Sequence, residues 1–138
     1  PSTSAIYDDV DNVDERVRIT SVGDVGIGTT TPTEKLDVIG TVKAIDFDTT
    51  SDQNLKTNIK IIEDPLEKIA QIRGVNFEWK ENNKPSAGVI AQEVEKVLPE
   101  LVTNNGTKAV NYNGLIGLLV EAVKAQQKEI DILKSKIK

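Results

Sequence analysis

The sequence contains no cysteine, no histidine and no methionine. The missing cysteines rule out disulfides and thiolate metal sites, and the missing histidines remove the commonest metal ligand and the usual general base. No metal or cofactor is expected, although carboxylates could still bind a hard cation. Aromatic residues make up 4% and hydrophobic residues 38% of the 138 positions. That is modest for a self-sufficient core, so burial between chains would make up the shortfall. No apolar run approaches the ~18 residues needed to span a bilayer, and no signal-type segment opens the chain, so membrane binding is not expected. With 17 basic against 22 acidic side chains and a net charge of -5, a sequence-independent grip on nucleic acid phosphates is not expected either. The chain opens at Pro1 rather than an initiator methionine and reads as a fragment of something longer.

What is present divides into a strand-like half and a helix-like half. Residues 1–15 are acidic without a sustained apolar period and read as a poorly specified lead-in. From Arg16 to Phe47 short alternating runs suggest strands at Val17-Arg18-Ile19-Thr20, Val25-Gly26-Ile27-Gly28, Leu36-Asp37-Val38 and Val42-Lys43-Ala44-Ile45. Glycines and Thr31-Pro32 interrupt these runs too often for one chain to build a broad sheet face, so wrapping with copies of itself would stabilise them better. The glycine-rich stretch from Val25 to Pro32 lacks the spacing of a phosphate-binding loop and reads as strand turns.

Beyond Lys56, Asp64-Pro65-Leu66 reads as an N-cap with proline at the first helical position. Leu66, Ile69, Ala70 and Ile72 would form the apolar stripe and Gly74 the stop. Val75–Trp79 and Ala87–Ile90 flank a turn at 81–85, and a helix from Ala91 to Leu98 ends at Pro99. Leu101-Val102, Asn104-Asn105-Gly106 and Ala109-Val110 signal a second hairpin with positive φ at its turn. From about Tyr112 to the C-terminus, Ile116, Val123, Ile130 and Ile137 fall at heptad a, and Leu119, Gln126 and Leu133 at d. β-Branched a with leucine d favours two strands on the simple rule, but the seam is barely three heptads long and Gln126 could set register or oligomer state. It establishes association, not number. Trp79 reads as a core side chain.

Without histidine, serine chemistry needs another base, and Ser51 with Lys56 is almost the only nucleophile and base placed together. The Ser51 hydroxyl would attack the Thr50 carbonyl to give an ester that water hydrolyses, while a neutral lysine takes the proton. On a continuous α-helix, residues five apart point about 140° away from each other, so the pair needs a turn, which Thr49-Thr50-Ser51-Asp52 could supply. By spacing alone, a turn-capping serine and a solvated lysine are by far the commoner reading.

Three blocks go further. Thr50-Ser51-Asp52-Gln53-Asn54-Leu55-Lys56-Thr57-Asn58-Ile59 resembles the S-D-x-x-L-K-x-x-I signature of the intramolecular chaperone autoproteases at the C-termini of phage tail spikes and fibres, the endosialidase type. Phe77-Glu78-Trp79 with Gly88-Val89-Ile90-Ala91-Gln92-Glu93-Val94 resembles that family's aromatic strand and helix entry, and Val110-Asn111-Tyr112 leading into Leu115–Leu119 resembles its closing motif. The cleavage domain of myelin regulatory factor is related. The resemblance implies an α+β architecture: residues 1–50 as the end of a β-structured fibre stalk, and 51–138 as a small helix and hairpin domain ending in a long coiled-coil-like helix, intertwined as a homotrimer. It further implies Ser51 as nucleophile, Lys56 as base, cleavage between Thr50 and Ser51, and a possible orienting role for Asp52. The partners implied are further copies of the chain and the preceding stalk, with no nucleic acid, membrane or small-molecule substrate. Assembly would take place in the host cytoplasm, the stalk would stay in the virion tail, and the chaperone would be released. A non-cleaving trimeriser would not need Lys56, and a receptor-binding tip would expose Phe77, Trp79, Tyr112 or Tyr7.

Overall fold

A computed structural model of the chain describes residues 4–6 and 16–137. The described residues fall into two compact units that divide between Asp52 and Gln53. Tyr7, one of the four aromatic candidates, lies outside the described residues.

The first unit is a small sheet of three-residue strands in the order β1 (Ser4–Ile6), β2 (Val17–Ile19), β3 (Val25–Ile27) and β4 (Leu36–Val38). The β1–β2 and β2–β3 pairs are antiparallel, whereas β3 and β4 run parallel with Val25 opposite Leu36 and Ile27 opposite Val38. The turn after β2 closes when the Thr20 and Asp24 backbones bond at 2.9 Å and the Asp24 N–H donates to the Thr20 hydroxyl at 3.0 Å. Gly26 is the one buried position among the described residues of this unit, because such short strands present too little apolar face to enclose a core.

The strand expected at Val42–Ile45 does not form; residues 41–50 are irregular and exposed, Ile45 and Phe47 included. Alternation alone does not make a strand, since its backbone groups need a partner strand, and among the described residues this segment has none.

In the second unit a 3-10 turn at Gln53–Leu55 and an irregular run lead to α1 (Pro65–Ala70). Asp64 takes the N-cap position and Pro65 the first helical position, as the sequence suggested, but Asp64 lies in the left-handed region (φ 49°) and its side chain makes no capping hydrogen bond. Proline disfavours the right-handed helical region for the residue before it, and aspartate tolerates the left-handed one better than most. The helix stops at Ala70, earlier than its apolar stripe suggested; Gly74 opens the next strand, and Ile69 and Ile72 face the core while Ala70 is exposed.

Strands β5 (Gly74–Glu78) and β6 (Pro85–Val89) pair antiparallel across the 79–84 turn. Helix α2 (Ala91–Val97) ends where Pro99 denies it another backbone donor, and a 3-10 turn at Pro99–Leu101 follows. Strands β7 (Val102–Asn105) and β8 (Thr107–Val110) form the second hairpin, with positive φ at Gly106 (98°) but not at Asn105.

Helix α3 (Tyr112–Lys136) begins at Asn111, whose side chain accepts from the N–H groups of Asn113 and Gly114 at 3.1 and 3.4 Å. The Asn111 N–H itself donates to the Leu101 carbonyl at 2.8 Å, tying the helix start to the preceding turn. The core lies where Val94 of α2 and Leu98, just beyond its end, meet Leu115 and Leu118 of α3, with Ile62, Ile69, Ile72, Val89 and Val110 packed round them. The chain is therefore α+β with a long C-terminal helix, as the sequence suggested.

Candidate functional site

Thr50, Ser51 and Asp52 are irregular and exposed, and they close the first unit. Lys56 follows the Gln53–Leu55 turn in the second unit, where its N–H donates to the Gln53 carbonyl at 3.0 Å; its side chain is also exposed. Between serine and lysine the chain forms a 3-10 turn at Gln53–Leu55 rather than an α-helix. Downstream, Leu55, Ile59 and Ile61 are exposed, and Ile62 is the first apolar residue of the segment to turn onto the core. Among the described residues no group of acidic side chains is arranged to hold a metal ion. No described helix is long and apolar enough to cross a membrane.

A second feature is aromatic. Trp79 is 57% exposed and not a core residue; it stands where β5 runs into its turn, edge-on to Phe77 with ring centroids 5.2 Å apart. Both rings line an open groove of about 580 Å³ whose other walls include Val89, Ile90, Val110 and Tyr112. Three of the four aromatic candidates thus share one groove. The Tyr112 hydroxyl receives the Val89 N–H at 3.5 Å, and a Cβ on Gly88 would lie 2.7 Å from that hydroxyl oxygen. Glycine at 88 is thereby explained: it lets β6 pass under the first side chain of α3. The sequence singled out both motif blocks, but their meeting depends on the hairpin folding back, which no local pattern encodes.

The third feature is α3. Leu115, Leu118 and Ala122 are buried inward, whereas Ile116, Leu119, Val123, Ile130 and Leu133 are all exposed. The heptad seam read from the sequence is thus not the face that packs in the chain's own core. At its N-terminal end the seam is widened by Val120, and with Ile116, Leu119, Val123 and the Lys124 stem it forms an apolar groove of about 410 Å³. A helix bearing two apolar stripes has one to spare.

The base of the unit is pinned by charge. Arg73, just before β5, donates from Nε at 2.9 Å and from a terminal guanidinium nitrogen to Glu93 Oε1, and from its backbone N–H to Oε2 at 3.2 Å. The guanidinium and then the backbone bond hold the Glu93 carboxyl below its ordinary range. Lys108 of β8 pairs with Glu95 of α2, so α2 is fastened from both sides.

Residues 51–103 match a family model described as chaperone of endosialidase. The chain is 38% identical over 112 residues to the long tail fiber protein Gp37 of Salmonella phage S16, covering 72% of this chain and 15% of that protein. It is 38% identical over 85 residues to the protein of the same name from Escherichia phage AR1 (53% and 8%). Against the one from Enterobacteria phage T2 it is 37% identical over 98 residues (63% and 7%). The chain therefore spans only a small part of these relatives.

Proposed function

As residues 51–103 belong to the chaperone-of-endosialidase family, we propose that residues 51–138 are the C-terminal intramolecular chaperone of a phage tail fibre, which trimerises, aligns the preceding stalk and then cuts itself off between Thr50 and Ser51. The observation that carries the reading is where the family match begins: at Ser51, the first residue after the proposed scissile bond. Tail fibre relatives and the two-unit division agree with a stalk end, residues 1–50, joined to a chaperone. The stalk belongs on this reading to the virion tail, and assembly to the host cytoplasm.

In the proposed reaction the Ser51 Oγ attacks the Thr50 carbonyl carbon and its proton passes to the neutral Lys56 amine. The C–N bond breaks, the Ser51 nitrogen leaves as an amine carrying a proton delivered by Lys56, and Thr50 is held as an ester on Ser51. Water then releases the Thr50 carboxylate. Asp52 would orient the pair. A lysine is a base only when neutral, a form that burial favours. Both side chains are exposed in the single chain, so the reading assigns their enclosure to assembly, and cleavage waits for association.

For the stalk, a trimeric end lowers the entropy cost of aligning distant segments, and removing the end afterwards leaves the stalk kinetically trapped. The second reading, a non-cleaving trimerisation module, draws on the exposed α3 seam, which needs neither Ser51 nor Lys56.

Denaturing mass spectrometry of freshly expressed protein separates the two readings. Wild type is expected to split into 1–50 and 51–138, whereas Ser51→Ala and Lys56→Ala stay whole. If all three remain whole while native mass spectrometry finds them assembled, the cleavage reading is wrong and the structural module stands.

A further inference from the structure

We propose that the tip of the β7–β8 hairpin is a site of spontaneous covalent modification, where Asn105 cyclises onto Gly106 and opens to aspartate or isoaspartate, and that the fold withholds the same reaction from Asn113. The inference is independent of the cleavage reading, because both asparagines lie in residues 51–138 whether or not the chain is cut.

Asn-Gly occurs twice in the chain, at 105–106 and at 113–114. In such a pair the glycine backbone nitrogen, on losing its proton to a base, attacks the asparagine side-chain carbonyl carbon, and with no Cβ beside it the approach is unhindered. The new N–Cγ bond closes a succinimide ring while the Cγ–Nδ2 bond breaks. The side-chain amide leaves as ammonia, which takes up a proton in place of the one that the glycine nitrogen gave up. Water then opens either ring carbonyl. One opening gives aspartate; the other gives isoaspartate, in which the main chain runs through the former side chain and is longer by a methylene.

The two pairs stand in opposite surroundings. Ring closure requires the backbone between asparagine and glycine to turn away from its folded angle. At the hairpin tip residues 103–107 are all exposed, and a Cβ on Gly106 would meet nothing within 4 Å, so the motion disturbs no packed side chain. At 113–114 the same motion opens the first turn of α3. The Gly114 N–H, the group that would have to attack, donates to the Asn111 carbonyl at 3.2 Å and to its side chain at 3.4 Å. Leu101 packs over Gly114 and leaves no room there even for a Cβ. Reaction at Asn113 therefore waits for local unfolding.

Conversion at 105 reaches into the fold. In the hairpin Asn105 stands opposite Thr107 and Asn104 opposite Lys108, and Lys108 holds Glu95 of α2. Isoaspartate lengthens the main chain at 105 and shifts that register, loosening α2 on this side. Aspartate leaves the main-chain length unchanged and does not.

The full chain is aged in mildly alkaline buffer, folded or unfolded in guanidinium, then digested with trypsin, which puts the two pairs on separate peptides, 97–108 and 109–124. Fragmentation mass spectrometry locates the new acid, and an isoaspartyl methyltransferase labels the isoaspartate. In the folded chain Asn105 is expected to convert at least about tenfold faster than Asn113, since reaction at 113 waits for loss of the asparagine cap and of the Leu101 contact. In guanidinium the two rates should converge to within a few-fold. Equal rates in the folded chain, or a folded Asn105 that stays intact while the unfolded one reacts, overturn the proposal. For the shifted register, the aged wild type is expected to unfold at lower urea concentration than equally aged Asn105→Gln, whose longer side chain cyclises slowly, and than fresh Asn105→Asp. Identical midpoints for the three, with isoaspartate present in the aged wild type, refute the loosening of α2.

Discussion

Replacing Leu118 and, separately, Leu119 by alanine removes the same three carbons from adjacent positions of α3 in opposite surroundings. Leu118 is 0% exposed and packs among Val94, Leu98 and Leu115; Leu119 is 48% exposed on the seam. At about 0.8 kcal/mol per buried methylene the transfer loss at Leu118 is roughly 2.4 kcal/mol. The residual cavity brings the cost to about 3–4 kcal/mol. At Leu119 about half of the transfer term applies and no cavity is left, so folding of the single chain loses only ~1 kcal/mol. Alanine's helix propensity contributes equally to both and cancels.

Urea unfolding monitored by circular dichroism over a wide range of protein concentration separates the effects, because association adds a concentration-dependent stabilisation to the folding of each chain. Leu118→Ala should lower the midpoint at every concentration. Leu119→Ala should barely move it at high dilution and should flatten its rise with concentration. The reasoning fails if Leu119→Ala costs as much as Leu118→Ala in dilute solution, or if it leaves the concentration dependence unchanged.

Two further predictions concern the second unit. Because Glu93 is held below its ordinary range by Arg73, its carboxylate stabilises the fold fully above about pH 4.3, the unfolded value, and this is lost as pH falls through the lower folded one; Glu93→Gln should remove that part of the acid-side slope when urea midpoints are measured from neutral to acid pH. Gly88→Ala should destabilise by about 1 kcal/mol, since the new Cβ falls 2.7 Å from the Tyr112 hydroxyl. Tyr112→Phe, which removes that oxygen, should recover part of the loss, and a double-mutant cycle in thermal unfolding showing the two costs simply adding would disprove the contact.

Legibility in the sequence followed the range of the forces involved. The hairpins at 74–89 and 102–110 and the helices opening at Ala91 and Tyr112 were readable because alternation, proline and an Asn-Gly pair act within a few residues. Val42–Ile45 has the same alternation but no partner strand among the described residues, so its pattern carried no strand. Asp64 holds the N-cap position its identity suggested, yet in its left-handed backbone conformation the side chain makes no hydrogen bond to the helix. Trp79 misled for a different reason: its size argues for burial, but its place at the end of a hairpin leaves it on a groove wall.

At the proposed cleavage segment, the order of Thr50, Ser51 and Lys56 is local and was legible. On α3 the heptad period stood out, while the inward row of Leu115, Leu118 and Ala122 acquires meaning only once α1 and α2 lie beside it.

The Asn111 cap has a consequence for how the helix can vary. By bonding to Asn113, Gly114 and the Leu101 carbonyl it sets the angular phase of α3 against the body of the unit. One residue inserted between Asn111 and Leu115 would rotate everything beyond it by about 100°, carrying the inward leucines toward solvent. Seven residues inserted beyond Ala122 would rotate the remainder by about 700°, within ~20° of two whole turns, and leave both stripes in place. Related chains should therefore differ in the length of this helix by whole heptads, and the cap is the fixed origin from which those steps are counted.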